Sequence, residues 1–227
     1  MHPRPRPGRL LAATAVALVG ACLAAACSTG DDWSRPHAAP VAVGALGAGF
    51  LEPDSTPSPE ATITPRSGSW DEVHPSKGYR VVLITAGDDA PTRALVTAVH
   101  DWADDEHVDL RTITAADAHD LIPTITEAIA MGPDLVLSAG NDLVDPLAVV
   151  TASHLDQQFL TIGAEVAEPT HNVTAVDWSG AAFRGEGLEA STAYDPTTFT
   201  AARCATAVRA GVAAVLTGHT GIVLWID

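Results

Sequence analysis

Four short stretches of this 227-residue chain group acceptors, an amide and an aromatic ring: Asp88-Asp89, Asn141-Asp142, Glu165 and Trp178. Carboxylates and a primary amide accept hydrogen bonds from hydroxyl or amine donors, and an indole can stack on a sugar or a base. The same groups repel phosphates. Each also has a plain structural reading. Asp88 and Asp89 precede Pro91, where negative charge favours a helix start. Asn141 and Asp142 stand where they can cap a helix through Pro146. Glu165 reads equally as a solvated loop acid, and Trp178 as a cover for a sheet edge.

Catalytic patterns are missing from the sequence. His74, His100, His107, His119, His154, His171 and His219 show no metal-ligand spacing. His100 and His107 lie on one expected helix, too far apart to share an ion. No GxSxG elbow occurs. The acid pair 88–89 lacks the aspartate a phospho-receiver needs at the end of its third strand, because Ser138-Ala139 stand there. Gly44, Gly47 and Gly49 have no preceding strand and do not form a dinucleotide loop. Asn172-Val173-Thr174 matches a glycosylation sequon by chance. The expectation is a non-catalytic protein with no cofactor and no metal.

The elements that must position these residues alternate. Short β-branched runs at 80–85, 109–114, 135–139, 159–163, 173–178 and 221–226 read as strands. Helical periodicity lies between them, with Leu95, Val99 and Trp102 on one face and Ile125 and Ile129 on another. Pro123 predicts a late start or a kink in the second helix, and Gly211 an interruption of the last, over 197–216. Strand alternating with helix specifies an α/β domain with a doubly wound, mostly parallel sheet of five to six strands. The expected order is 2-1-3-4-5. In such sheets ligands gather beyond the carboxyl ends of the strands, where all four stretches fall.

Charge and the first residues set the context. Lys+Arg 12 against Asp+Glu 28 gives net −16, and Lys77 is the sole lysine. That balance excludes nucleic-acid binding and polybasic membrane association. Nearly all the negative charge falls on 79–227. Residues 1–26 read as an export signal: Arg4, Arg6 and Arg9 precede an uncharged Ala/Leu/Val run. Leu23-Ala24-Ala25-Ala26-Cys27 reads as a lipobox, so Cys27 is the expected lipidation site; Val19-Gly20-Ala21-Cys22 is a second candidate. Cys204 then remains alone, a small core residue in an Ala-rich helix. Residues 27–78, rich in Pro, Gly and Ser, read as a tether, with 61–64 and Trp70 able to dock as an ordered lead-in. The lobe proper is expected over 79–227, on the outer face of the cell membrane.

Several passages resemble the basic membrane protein family of substrate-binding lipoproteins, which have the type 1 periplasmic-binding fold. They are Gly132-Pro133-Asp134-Leu135-Val136-Leu137-Ser138-Ala139-Gly140 with Asp145-Pro146-Leu147, then Gln158-Phe159-Leu160-Thr161-Ile162-Gly163, then Asn172-Val173 with Trp178 and Glu186-Gly187. The resemblance spans about residues 79–190. It implies an ABC import or sensing system and a nucleoside- or sugar-like solute. The family has two lobes, whereas 79–227 has the length of one. A homodimer or an ABC permease is then the expected protein partner. The alternative is an envelope interaction lipoprotein that has lost ligand binding.

Overall fold

The computed structural model describes residues 1–2 and 32–227. The chain divides into Met1–Asp31 and Asp32–Asp227, and the architecture that follows is that of the second unit. Cys22 and Cys27 lie outside the described residues. In chain order the elements are β1 (Ala42–Val43), β2 (Thr62–Ile63), β3 (His74–Pro75), β4 (Arg80–Thr85), α1 (Ala90–Glu106), β5 (Asp109–Thr114), α2 (Leu121–Ala130), β6 (Leu135–Ala139), α3 (Val144–Thr151), β7 (Gln158–Ile162), β8 (Val173–Asp177), α4 (Ala201–Leu216) and β9 (Val223–Trp225).

The central strands are buried on both faces, so their sequences are apolar runs rather than alternations. Every residue of β4, β6 and β8 is buried. β4 pairs in parallel with β5 on one side and β6 on the other. The order β5-β4-β6-β7-β8-β9-β2 makes a seven-stranded sheet, parallel at every pairing. The expected order of the first five strands is thus observed in an α/β, doubly wound sheet. The chain leaves β4 toward β5 and returns to add β6 on the opposite side, which creates a switch point between the carboxyl ends of β4 and β6. Leu95, Val99 and Trp102 of α1 pack with α4 on one face, in a cluster that includes Leu83 and Leu137. Ile125 of α2 and Leu147 of α3 cover the other face against Val82, Ile84 and Val136.

Local chemistry sets the helix limits. Asp89 caps α1, its Oδ1 accepting the Thr92 N–H at 3.1 Å, and His107 closes the helix at φ 56°. α2 starts late, at Leu121, as expected, which puts Pro123 in its first turn, where an N–H has no helical partner. Gly211 does not break α4; the helix runs through it to Leu216. A Cβ there would stand 2.7 Å from Leu160 Cδ1 and 2.8 Å from Val176 Cγ2, so the glycine lets α4 lie close on β7 and β8.

The sheet gains its seventh strand from residues 61–64, the segment expected to dock as an ordered lead-in. The sequence predicts a tether over 27–78, but from Asp32 onward this stretch packs on the lobe. β2 pairs with β9, and β1 pairs antiparallel with β3. Trp33, Phe50 and Trp70 are all buried. Trp33 donates its Nε1–H to Asp109 Oδ2 at 2.6 Å, with the Arg111 guanidinium 4.1 Å from its ring. Arg80 donates to the Arg35 carbonyl at 3.1 Å, and His37 meets Asp134 at 2.8 Å. These contacts fix residues 32–37 at the amino ends of β4, β5 and β6. The prolines do not oppose this arrangement, since the strands here are two residues long.

Candidate functional site

The carboxyl ends of β4 and β6 hold an open cavity of about 560 Å³. Four chain segments line it: Ala86-Gly87 after β4, Ala115–Ala118 with Leu121 after β5, Asn141-Asp142 with Asp145-Pro146 after β6, and Phe183 with Glu186. A smaller cavity of about 190 Å³ adjoins it, lined by Asp89, Thr92, Leu95, Tyr194 and Phe199. Asn141 and Asp142 line both. Gly140 makes the meeting of β4 and β6 close: its φ is 117°, and a Cβ would stand 2.6 Å from the Ala86 carbonyl oxygen.

The expected residues divide. Asp89 lines the smaller cavity while capping α1, and its Oδ2 also accepts from the Thr92 hydroxyl at 2.7 Å. Asp88 is exposed, with its carbonyl held by the Arg93 guanidinium. Asn141 and Asp142 stand in a short 3-10 turn before α3 and make no side-chain cap to it. Among the described residues their side-chain polar groups have no hydrogen-bond partner, and both residues border both cavities.

Glu165 stands apart, its Oε1 paired with Arg184 Nε at 3.0 Å. Burial raises its carboxyl pKa, against the lowering effects of Arg184 and Ser191. Trp178 cannot stack on a solute. It has 0% exposure, donates Nε1–H to Thr198 Oγ1 at 3.0 Å, and meets Phe199 edge-on at 4.9 Å. The segment after β8 folds back over the indole and covers it.

Other residues complete the rim. Asp117 accepts the His119 N–H at 2.8 Å, and Asp145 Oδ2 accepts the Glu186 N–H at 3.1 Å. Aromatic rings on the rim include Phe183, Phe199 and Tyr194, the last half exposed. Burial, then the Asp89 charge, raises the Tyr194 pKa. Asp117 follows strand β5 and falls under the same strand-end rule as Asp142, so a signal for it existed. Asp145 and Glu186 stand in the passages that resemble the family. Phe183 and Tyr194 lie in an irregular segment with no periodicity to mark them. Among the described residues, no Lys, Arg or His lines either cavity.

One buried acid shapes the wall. Asp177, at the end of β8, has 0% exposure. Its Oδ1 accepts N–H bonds from Trp178 at 2.9 Å and Ala182 at 2.6 Å, while Oδ2 has no partner among the described residues. Burial pushes its carboxyl pKa up to about 7, with the Glu165 charge adding to the rise. The Glu165 N–H donates to the Phe183 carbonyl at 2.8 Å. Asp177 and the Glu165 backbone together hold the turn that presents Phe183 to the cavity.

No helix among the described residues is long and apolar enough to cross a membrane. Among the same residues, no group of three or more His, Cys, Asp or Glu could hold a metal ion.

No protein-family model matches the chain, and no curated protein matches it. Among solved structures it is similar to an ABC transporter system solute-binding protein from Aeropyrum pernix K1, at 20% identity and TM-score 0.40, over 44% of this chain and 29% of that one. It is also similar to a periplasmic ribose ABC transporter protein from Conexibacter woesei (16% identity, TM-score 0.34, 67% of this chain and 55% of that one). A third is a glucose-galactose binding protein from Geobacillus stearothermophilus (18% identity, TM-score 0.37, 66% and 58%). The chain thus spans less than two thirds of the length of each. The fold assignment stands on the strand order and register.

Proposed function

We propose that this chain is an extracytoplasmic solute-binding lipoprotein of an ABC import or sensing system, anchored through Cys27 to the outer face of the cell membrane. Its rim takes a small polar solute, of nucleoside or sugar size. One observation carries the reading: a cavity of about 560 Å³ at the switch point of a doubly wound sheet, bordered by the uncommitted side chains of Asn141 and Asp142. The resemblance to the basic membrane protein family supports it. So does the path of the chain. Residues 32–37 are held at the amino ends of the strands, at the pole of the sheet opposite the rim. A permease or a second copy of the chain is the partner that would close the open side.

Thermal denaturation of the full chain against sugars, nucleosides and amines tests binding. A solute at about 100 times its Kd adds roughly 2.7 kcal/mol. Flat melting curves across the panel overturn the reading and favour a non-catalytic envelope interaction protein. Acyl labelling tests the anchor: Cys27→Ala abolishes it, whereas persistent label assigns the site to Cys22.

A further inference from the structure

We infer that the carboxyl of Asp177 is a pH-responsive latch on the segment 178–199, which forms one wall of both rim cavities. The inference does not depend on which solute the rim takes. Asp177 ends β8, and the chain then runs irregularly toward α4, apart from one 3-10 turn at Pro196–Thr198. Phe183 and Glu186 of this segment line the larger cavity, and Tyr194 and Phe199 the smaller. Whatever seats or lifts the segment therefore reshapes the rim.

The latch holds the first turn of the segment. Asp177 is fully buried, and its Oδ1 accepts the Trp178 N–H at 2.9 Å and the Ala182 N–H at 2.6 Å. Ala182 has φ 66°, a left-handed conformation that is costly for a residue with a Cβ and persists where its surroundings hold it. Phe183 follows at once, its carbonyl accepting the Glu165 N–H at 2.8 Å. Further on, Arg184 pairs with Glu165, and Asp145 accepts the Glu186 N–H. Releasing Asp177 thus frees the strained turn that aims Phe183 at the cavity.

Charge decides when the latch lets go. Oδ2 is buried with no partner among the described residues. A neutral carboxyl tolerates such a place far better than a carboxylate, which loses its hydration there. Val176 faces α4, so strand alternation turns Asp177 to the sheet face that α3 covers, away from Arg203, Cys204 and Arg209 of α4. β7 and β9 flank it with no charged side chain, and Asp227, beyond β9, is exposed. α3 brings Asp145, held on the Glu186 N–H; the loop after β7 brings Glu165; and the segment itself brings Arg184, engaged on Glu165. Burial, opposed by the two N–H bonds and reinforced by the Glu165 charge, pushes the Asp177 pKa up to about 7. Lifting the segment returns the carboxyl to water and to its ordinary value of 3.8. The seated state therefore holds the proton more tightly, and the lifted fraction grows as pH rises through 7.

Hydrogen exchange of the full chain, followed by mass spectrometry from pH 5 to 8 and corrected for the intrinsic dependence of exchange on pH, tests the latch. The opening equilibrium of residues 179–187 should rise about tenfold between pH 6 and pH 8 and level off beyond. That opening should respond little to dilute urea, whereas the amides of β4, which exchange on global unfolding, respond steeply. Asp177→Asn should be flat over the same pH range. Glu189→Gln, which alters an exposed acid of the same segment outside both cavities, should keep the rise. No rise in the wild-type chain, or an equal rise in Asp177→Asn, overturns the latch. So does exchange of 179–187 that tracks β4 in urea, a result that needs no variant and makes Asp177 an acid of the fold alone.

Discussion

The two poles of the sheet treat the same acidic composition in opposite ways. At the amino pole, Asp109 receives the Trp33 N–H, Asp134 receives the Arg80 N–H and His37, and Asp105 and Glu106 hold Arg209. Each of these acids joins segments distant in sequence. At the carboxyl pole Asp117, Asp145 and Asp89 are answered by backbone N–H groups and a hydroxyl, and among the described residues Asp142 has no side-chain partner, while Glu165 is paired with Arg184. Paired charge marks the pole that holds the fold together. Unpaired charge beside a cavity marks the pole left for a ligand.

The comparison can be broken at either pole. The largest effect is expected from Trp33→Ala, which removes a buried indole that caps β5 and stacks near Arg111. It should cost about 3 kcal/mol and lower the Tm by roughly 10 °C. Such a loss would also establish that residues 32–37 belong to the lobe; an unchanged Tm would return them to a tether.

Asp177 is next, because it is a buried acid at the ligand pole. Its folded pKa of about 7 exceeds the ordinary value of 3.8, so the folded state binds its proton more tightly than the unfolded state. The cost of its charge is fully present above pH 7 and is relieved as pH falls toward 4. Asp177→Asn should therefore raise stability at pH 8 by about 2 kcal/mol and flatten the rise in stability on acidification between pH 7 and 4. Unchanged denaturant midpoints at pH 8 would contradict this.

Smaller effects sharpen the contrast. His37→Ala removes a pair on the half-exposed edge of the amino pole and should cost less than about 1 kcal/mol by chemical denaturation. Asp142→Asn should move stability by no more than about 0.5 kcal/mol, since its carboxylate holds no partner, yet it should weaken solute binding. A rim acid that proved as costly as Trp33 would erase the distinction between the poles.

The legible parts of the sequence were those with one dominant period. Strands β4, β6 and β8 announce themselves as continuous apolar runs, and the turn residues between them give the order. Asn141 and Asp142 are legible because a doubly wound sheet makes the residue after each strand a candidate. That rule also reaches Asp117, which follows β5 in the same way. It fails at Trp178, where the chain turns back beneath Thr198 and Phe199 and buries the indole. Nothing local distinguishes a strand-end aromatic that faces solvent from one that is covered later. The stretch from Asp32 to Gly78 shows its packing only at 61–64 and Trp70 and hides the rest for a related reason. Its anchors, Trp33, Phe50 and Trp70, are too far apart to form a period, and each is held by residues distant in sequence.

The most direct test of the ligand pole is thermal denaturation of the full chain and of Asp142→Asn, each with and without a saturating solute from the panel of sugars, nucleosides and amines. The account predicts equal melting without ligand, a clear rise in the wild-type chain, and most of that rise lost in the variant. An equal rise in both chains, or no rise in either, would contradict it.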